Sequence, residues 1–400
     1  MMKKVYLLGA CRTPIGKMGG ALSQVHVADL GATVIAEAIK RAGVPANAVD
    51  HVYMGCVIQA GQGQNVARQA ALKAGLPVTT TAETLNIVCG SGLDSVNSAA
   101  RMIQCGDADI VVAGGMENMS MAPFALMKGR YGYRMGYPTV PSDLVDTMVN
   151  DALWDAYHNY HMGITAENVA QQWTLTREEL DVFSAKSQQK ACAAMERGAF
   201  EKEIVPVVIS GRKGDTIVSQ DEGPRPGTTV EILGKLRPAF KKDGVVTAGN
   251  SSTINDGAAA VVLASEDKVK ELGLKPMAMW VGGALGGVDP SIMGVGPVAS
   301  TKKLLAKLGM TMEDMDLIEA NEAFAAQSLA VAKELDIPQE KLNVNGGAIA
   351  LGHPVGASGC RILVTLLHAM EEKKVKTGLA TLCIGGGMGC SVVVQRCETT

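Results

Sequence analysis

Aromatic residues are scarce in this chain, at 4%, while hydrophobic residues reach 47% and glycines number 46. That balance disfavours a β-sandwich and points to helices packed on sheets with many tight turns, an α/β class. Charge of one sign is also lacking: the formal net charge is −3 and no long run of either sign occurs. General attraction to nucleic acid or to an anionic membrane is thereby excluded, and an anionic ligand has to be met by a local patch. No apolar run approaches the roughly 18 residues needed to span a bilayer. The opening "MMKKVYLLGACRTP" turns polar too soon for a secretory signal. The nine cysteines, at 11, 56, 89, 105, 192, 360, 383, 390 and 397, contain no CxxC pair. An odd, scattered set leads us to expect a reduced, cytoplasmic protein without a zinc site.

A chain of 400 residues exceeds one ordinary core, so two or three units are expected. "KKVYLLGACRTPIG" reads as a strand and loop, and "VADLGATVIAEAIKRAG" as a helix closed by glycine. "VDHVYMGCVI" reads as a strand, "NVARQAALKAGLP" as a helix and "DADIVVAGGMENMS" as a buried strand. This alternation implies a largely parallel sheet with helices on both faces. Residues 89–117 and 353–389 share an order of parts: a glycine-rich turn, a helix, a polar loop, an apolar strand and a Gly-Gly-Met segment. Either two βαβ-like units happen to look alike, or the chain consists of two similar halves related by a pseudo-twofold. The stretch 121–249 differs in character and is the candidate insertion, with Arg212/Lys213 and Lys235/Arg237/Lys241/Lys242 as basic clusters or as an ordinary solvated face.

Cys89, in "NIVCGSGLDSV", stands at the mouth of a helix, where the dipole and free first-turn amides favour thiolate. It is either a nucleophile or a small buried hydrophobe. His353, in "GGAIALGHPVGASG", has a similar glycine-rich setting, and a Cys and a His on separate loops form the pattern of an activated nucleophile. Cys383 precedes three glycines whose amides could form an oxyanion hole. Asn321 opens a helix, where it could serve simply as a cap.

Taken together these segments resemble the thiolase family over essentially the whole chain. The resemblance rests on "NIVCGSGLDSV", "GGMENMS", "TAGNSSTINDGAAA", "MGVGP", "NEAFA", "GGAIALGHPVGASG" and "CIGGGMG", in the family's order. It implies an α/β fold of two similar βαβαβαββ halves related by a pseudo-twofold, in five layers α-β-α-β-α, with an inserted loop domain. The implied division is 1–120 plus 250–272 for the half carrying the nucleophile, 121–249 for a CoA-binding insertion, and 273–400 for the second half.

The resemblance also implies chemistry. Cys89 is the cysteine that becomes acylated, and His353 accepts its proton and later helps hold a thioester oxygen. Cys383 exchanges a proton with the α-carbon, and Asn321 holds a water in one oxyanion hole. The amides of Cys89 and Gly385 form the other. Ala248 and Ser252 match positions along pantetheine, His161 and Met162 the segment beside it, and Arg225 a basic residue near the nucleotide. Phe240, Ala323 and Phe324 match pocket walls, and Met162 with Met293 resembles the short-chain branch. The expected reaction condenses two acetyl-CoA into acetoacetyl-CoA and CoA, or reverses it by thiolysis. No cofactor is implied, CoA and its thioesters being substrates, and no metal. The expected assembly is a homotetramer built as a dimer of dimers, with no nucleic-acid or membrane partner, and "RCETT" at the end carries no peroxisomal tripeptide. Alternatives are a broad-chain-length degradative thiolase, a decarboxylating ketoacyl synthase, and a catalytically silent lipid-binding protein of the same fold. Two thiols of lowered pKa facing each other could also close a disulfide.

Overall fold

The computed structural model describes residues 3–132 and 144–397. Residues 133–143, within the 121–249 stretch, and the final three of "RCETT" lie outside the described residues. The main sheet contains β1 Val5–Arg12, β2 His51–Gly55, β3 Thr81–Leu85, β4 Ile110–Asn118, β5 Asn255–Ser265, β6 Ala278–Gly287, β7 Leu317–Ala320, β8 Thr377–Ile384 and β9 Met388–Arg396. They lie in the order β7-β8-β9-β6-β1-β5-β4-β2-β3. The main helices are α1 Val27–Ala42, α2 Val66–Lys73, α3 Ser91–Cys105, α4 Met162–Gln172, α5 Arg177–Glu196, α6 Gly296–Leu308, α7 Ala325–Glu334 and α8 Val355–Lys373.

The pseudo-twofold is visible in the pairing. Moving outward from β1, β5 and β4 follow antiparallel and β2 parallel. Moving outward from β6, β9 and β8 follow antiparallel and β7 parallel. The halves join where β1 and β6 pair antiparallel, Val5 opposite Trp280 and Leu7 opposite Ala278. The first half follows the expected βαβαβαββ order. In the second half the third strand is reduced to a single bridge between Ile318 and Leu342. The reason is local: Asn343 has a left-handed φ of 43°, and its side chain accepts from Ala320 N at 2.9 Å and donates to Ala320 O at 2.8 Å. A carboxamide there replaces the ladder of a strand.

Among the described residues, strand alternation divides most of the interior into three main cores. Leu8, Val112 and Val262 point outward to α1 and α2, while their neighbours Leu7, Val111 and Val261 point inward. In β8, Ala380, Leu382 and Ile384 face inward, and Leu379 and Cys383 face the outer core with α6 and α7. The middle core holds α3 and α8. These are the five layers. α1 ends as its sequence predicts, with Gly43 at φ 68° and Val44 N bonded to Ile39 O at 3.2 Å.

Among the described residues, the 121–249 stretch has no separate core. α4 and α5 supply Met162, Ala166, Leu180 and Phe183 to the outer core of the second half. The hairpin Val207–Ile209/Thr216–Val218 inserts Val207 and Val218 into that of the first. The stretch is thus laid as a strap over both halves. No helix among the described residues is long and apolar enough to cross a membrane.

Candidate active site

The chain reaches Cys89 through a strained turn. Val88 is β-branched yet has φ 51°, a conformation costing on the order of 1–3 kcal/mol. Ser91 closes the turn, its Oγ accepting from Ile87 N at 2.9 Å and donating to Val88 O at 2.6 Å. Gly90 must be small, because a Cβ there would lie 2.3 Å from Ile384 Cδ1 at the end of β8. The amides of Gly385 and of Cys89 itself bond toward the Cys89 sulfur. Burial nevertheless dominates and pushes the thiol up to about 11. The expectation of a thiolate at the helix mouth is therefore corrected: desolvation outweighs the amides, and Cys89 rests as a thiol.

His353 is also neutral at rest. Burial, reinforced by the Arg361 guanidinium, lowers it to about 3. Its tautomer follows from its neighbours. Ser358 Oγ donates to Pro354 O at 2.9 Å, so it accepts at 2.5 Å from His353 Nδ1. Nε2 is then the bare nitrogen, buried and without a protein partner, and free to take a proton. Asn321, just beyond β7, lies with its amide 3.5 Å from Nδ1, and its other amide end is likewise buried and unpartnered. Because Nδ1 carries a proton, the carbonyl is the end that faces it, and the NH2 is the end left open. His353 is placed by Asn255, whose Oδ1 accepts from His353 N at 2.9 Å. Three residues further on, Gly356 O lies 2.8 Å from where a Cβ on Gly92 would stand, so the helix starts bearing Cys89 and His353 touch.

Cys383 is buried near the end of β8, two residues before Gly385. Burial raises its thiol well above the ordinary range, and the charge interaction with Cys89 adds to it. It too is a thiol, correcting the second low-pKa expectation. Both cysteines are free rather than joined. Met162, Met293, Ala323 and Phe324 share one apolar cluster with Cys383. Met162 Sδ is 3.7 Å from where a Gly385 Cβ would lie. His161 caps α4, accepting from Gly163 N at 3.0 Å, and stacks on Phe240 at 4.7 Å between centroids. Phe240 stands edge-on to Phe324 at 6.2 Å. Ser252 N bonds to Ala323 O at 2.9 Å, which puts that turn beside the pocket wall. Ala248 and Arg225 are exposed, and Arg225 is tied in through its backbone N to Gln188 Oε1 at 2.8 Å.

Sequence reasoning missed several residues that set this geometry. Ser358 fixes the histidine tautomer, Asn255 places its backbone, and Gln327 Oε1 accepts from Cys383 Sγ at 3.7 Å. Glu117 binds Val57 N, Ile58 N and Gly356 N at 2.9, 3.1 and 2.9 Å. Only Ser358, within one helical turn of Pro354, carried a local signal. A cleft of about 340 Å³ bordered by Thr176, Phe183, Lys186 and Leu329 contains neither cysteine nor His353, and so stands apart from this chemistry.

Comparison with known proteins gives one answer along the whole length. The family models described as "Thiolase, N-terminal domain" and "Thiolase, C-terminal domain" match residues 5–267 and 274–396. An acetyl-CoA acetyltransferase of Syntrophomonas wolfei is 58% identical over 99% of this chain and 100% of its own length. A Bacillus anthracis acetyl-CoA acetyltransferase structure superposes with a TM-score of 0.96 at 46% identity, covering 99% of both chains. Human mitochondrial 3-ketoacyl-CoA thiolase does so with a TM-score of 0.94 at 42% identity, again over 99% of both. The chain belongs to the thiolase family.

Proposed function

We propose that the protein is an acetyl-CoA C-acetyltransferase working through an acetyl-Cys89 intermediate. The observation that carries the reading is the set of polar groups gathered with two resting thiols: the bare, buried Nε2 of His353 and the open end of the Asn321 amide, and the Gly385 and Cys89 amides that bond toward the Cys89 sulfur. In condensation, Nε2 takes the Cys89 proton and the sulfur attacks the thioester carbon. The amides of Cys89 and Gly385 meet the resulting oxyanion. CoA departs as thiolate and takes the proton of Cys383, leaving a Cys383 thiolate and a His353 imidazolium. That thiolate removes an α-proton from the second acetyl-CoA. The enolate oxygen is held by His353 and by a water on Asn321, and the enolate carbon attacks acetyl-Cys89. Collapse releases acetoacetyl-CoA, and Cys89 recovers its proton from His353. All three groups return to the neutral state that burial favours at rest.

Names of the relatives support the acetyl-transferring reading, and the large side chains Met162, Met293 and Phe324 in the same apolar cluster as Cys383 support a short acyl pocket. The chain needs no cofactor for these steps, since CoA esters are the substrates. Ala248, Ser252, His161 and Phe240 follow pantetheine, with Arg225 toward the nucleotide. We further assign it a cytoplasmic place, a role in fatty acid metabolism and a homotetrameric state. The exposed Phe124, Met127 and Tyr131 within the strap suit burial between copies. Thiolysis of acetoacetyl-CoA, run beside a 3-ketoacyl-CoA of medium chain length, tests the reading with wild type and Cys89→Ala. Turnover of the short substrate alone, lost by at least about a thousandfold in the variant, is expected. Comparable turnover of the longer substrate would move the protein to the degradative reading, and no turnover of either would leave a silent binding protein.

A further inference from the structure

Gln327 lies in the first turn of α7, 1% exposed, at the edge of the apolar cluster that holds Cys383, Met293 and Phe324. A carboxamide buried there is costly unless it is hydrogen-bonded, and an apolar side chain of equal volume would fill the space as well. Its Oε1 accepts from the Sγ–H of Cys383 at 3.7 Å. Its root is fixed, because a Cβ on Gly294 would lie 2.4 Å from Gln327 Cβ. The amide is thus held in place and directed at one sulfur.

We propose that Gln327 is a positioning residue for proton transfer at the substrate α-carbon, acting through Cys383. The inference rests on the reading of Cys383 as the group that exchanges that proton. In the condensing direction the α C–H bond breaks, its electron pair passes to the enolate, and the proton forms the S–H bond that Gln327 Oε1 accepts. In thiolysis the same S–H breaks and its proton goes to the carbon. Gln327 fixes the direction of that S–H bond and so the face on which sulfur meets the substrate. Acyl transfer at Cys89 runs through His353 and the Gly385 amide and draws on Cys383 only for the proton that departing CoA takes, a fast sulfur-to-sulfur transfer far less sensitive to the direction of the S–H bond than the slow transfer to or from carbon.

The test separates two partial reactions of the full-length enzyme, with Gln327→Met as the apolar near-isostere and Gln327→Glu retaining an acceptor oxygen. Exchange of the acetyl-CoA methyl hydrogens in D2O reports Cys383, and exchange of acetyl between acetyl-CoA and labelled CoA reports Cys89. Gln327→Met should slow hydrogen exchange roughly tenfold or more while acetyl exchange stays within about twofold, and Gln327→Glu should keep more of the hydrogen exchange. Equal loss of both reactions would mark a purely structural role and overturn the proposal, as would unchanged hydrogen exchange. Cys383→Ala runs alongside: retained hydrogen exchange there would remove the reading of Cys383 and the proposal with it. Loss in Cys383→Ala with full exchange in Gln327→Met would overturn the proposal alone.

Discussion

Cys89 and His353 stand at related places in the two halves, each just ahead of a central helix, and a serine bonds back into each turn, Ser91 and Ser358, yet the second turn is also held from a distance. The Cys89 turn is closed by its own Ser91, three and four positions from its partners. The His353 turn is held from afar, by Asn255 across 98 positions and by Glu117, which reaches Gly356 across 239. The residue before each differs in the same sense. Gly352 has φ 108° and must be glycine, since a Cβ there would strike Asn255 at 2.4 Å. Val88 has φ 51° without being glycine. One half stores strain in a local turn that presents a nucleophile; the other uses long-range hydrogen bonds to fix a base. The supports of the two turns are independent, so each can be weakened without touching the other.

The largest expected effect breaks the long-range support. Glu117→Ala leaves three buried amides without an acceptor, at about 1–3 kcal/mol each, so a loss of several kcal/mol is expected in denaturant unfolding. Glu117→Gln keeps the shape but turns an NH2 toward an N–H, and should cost about 1–3 kcal/mol. Burial raises the Glu117 carboxyl to about 7 despite its three amide donors. A buried acid with a raised pKa stabilises the fold most below its unfolded value, near 4.5, and loses that contribution as pH rises through about 7. Both variants should flatten this part of the stability–pH curve. A Ser91→Ala variant that destabilises as much as Glu117→Ala would erase the contrast between the turns.

A smaller effect comes from the tautomer. Ser358→Ala removes the nearer of the two acceptors that keep the His353 proton on Nδ1, so part of the population carries it on Nε2, where it cannot accept from Cys89. Acylation should slow roughly 10- to 100-fold, read as burst or acetyl-exchange rate, with the fold intact. The same comparison has a pH signature in the wild type. With Cys89 near 11 and His353 near 3, both are neutral from about pH 5 to 9. Iodoacetamide labelling of Cys89 should then climb steadily from pH 7 to 10, and a plateau at neutrality would restore the thiolate that the helix mouth suggested.

That helix mouth also marks how far the sequence could be read. α1 and its glycine cap were legible because periodicity and a terminal Gly act within a few residues. The duplicated order was legible because each half repeats glycines where α3 and α8 touch. Cys89, His353 and Cys383 stood out in glycine-rich surroundings and Asn321 at the start of a helix, but their roles came from family resemblance. Glu117, Asn255 and Gln327 kept their roles hidden for a common reason: each acts on a partner 56 or more positions away, and although Glu117 and Asn255 lie in motifs that carry the resemblance, nothing local shows what a Glu, Asn or Gln there bonds to. The thiol pKa was misread because a helix dipole is visible in sequence and burial is not.

The smallest expected effect sharpens the contrast by making the first turn resemble the second. Val88→Gly places at 88 the residue type that stands at 352. It relieves the left-handed strain, on the order of 1–3 kcal/mol, but frees the unfolded chain by about 0.5–1 kcal/mol. It also removes a Cγ1 that lies 3.5 Å from the Cβ position of Gly385. These terms oppose, so unfolding stability should change by only about 1 kcal/mol in either direction. Activity should fall further than stability, several-fold in kcat with KM little changed, because the sulfur loses its fixed aim at the Gly385 amide. A variant with full kcat and raised stability would show that the strain at Val88 contributes nothing to presenting Cys89, and that both turns could have been built on glycine.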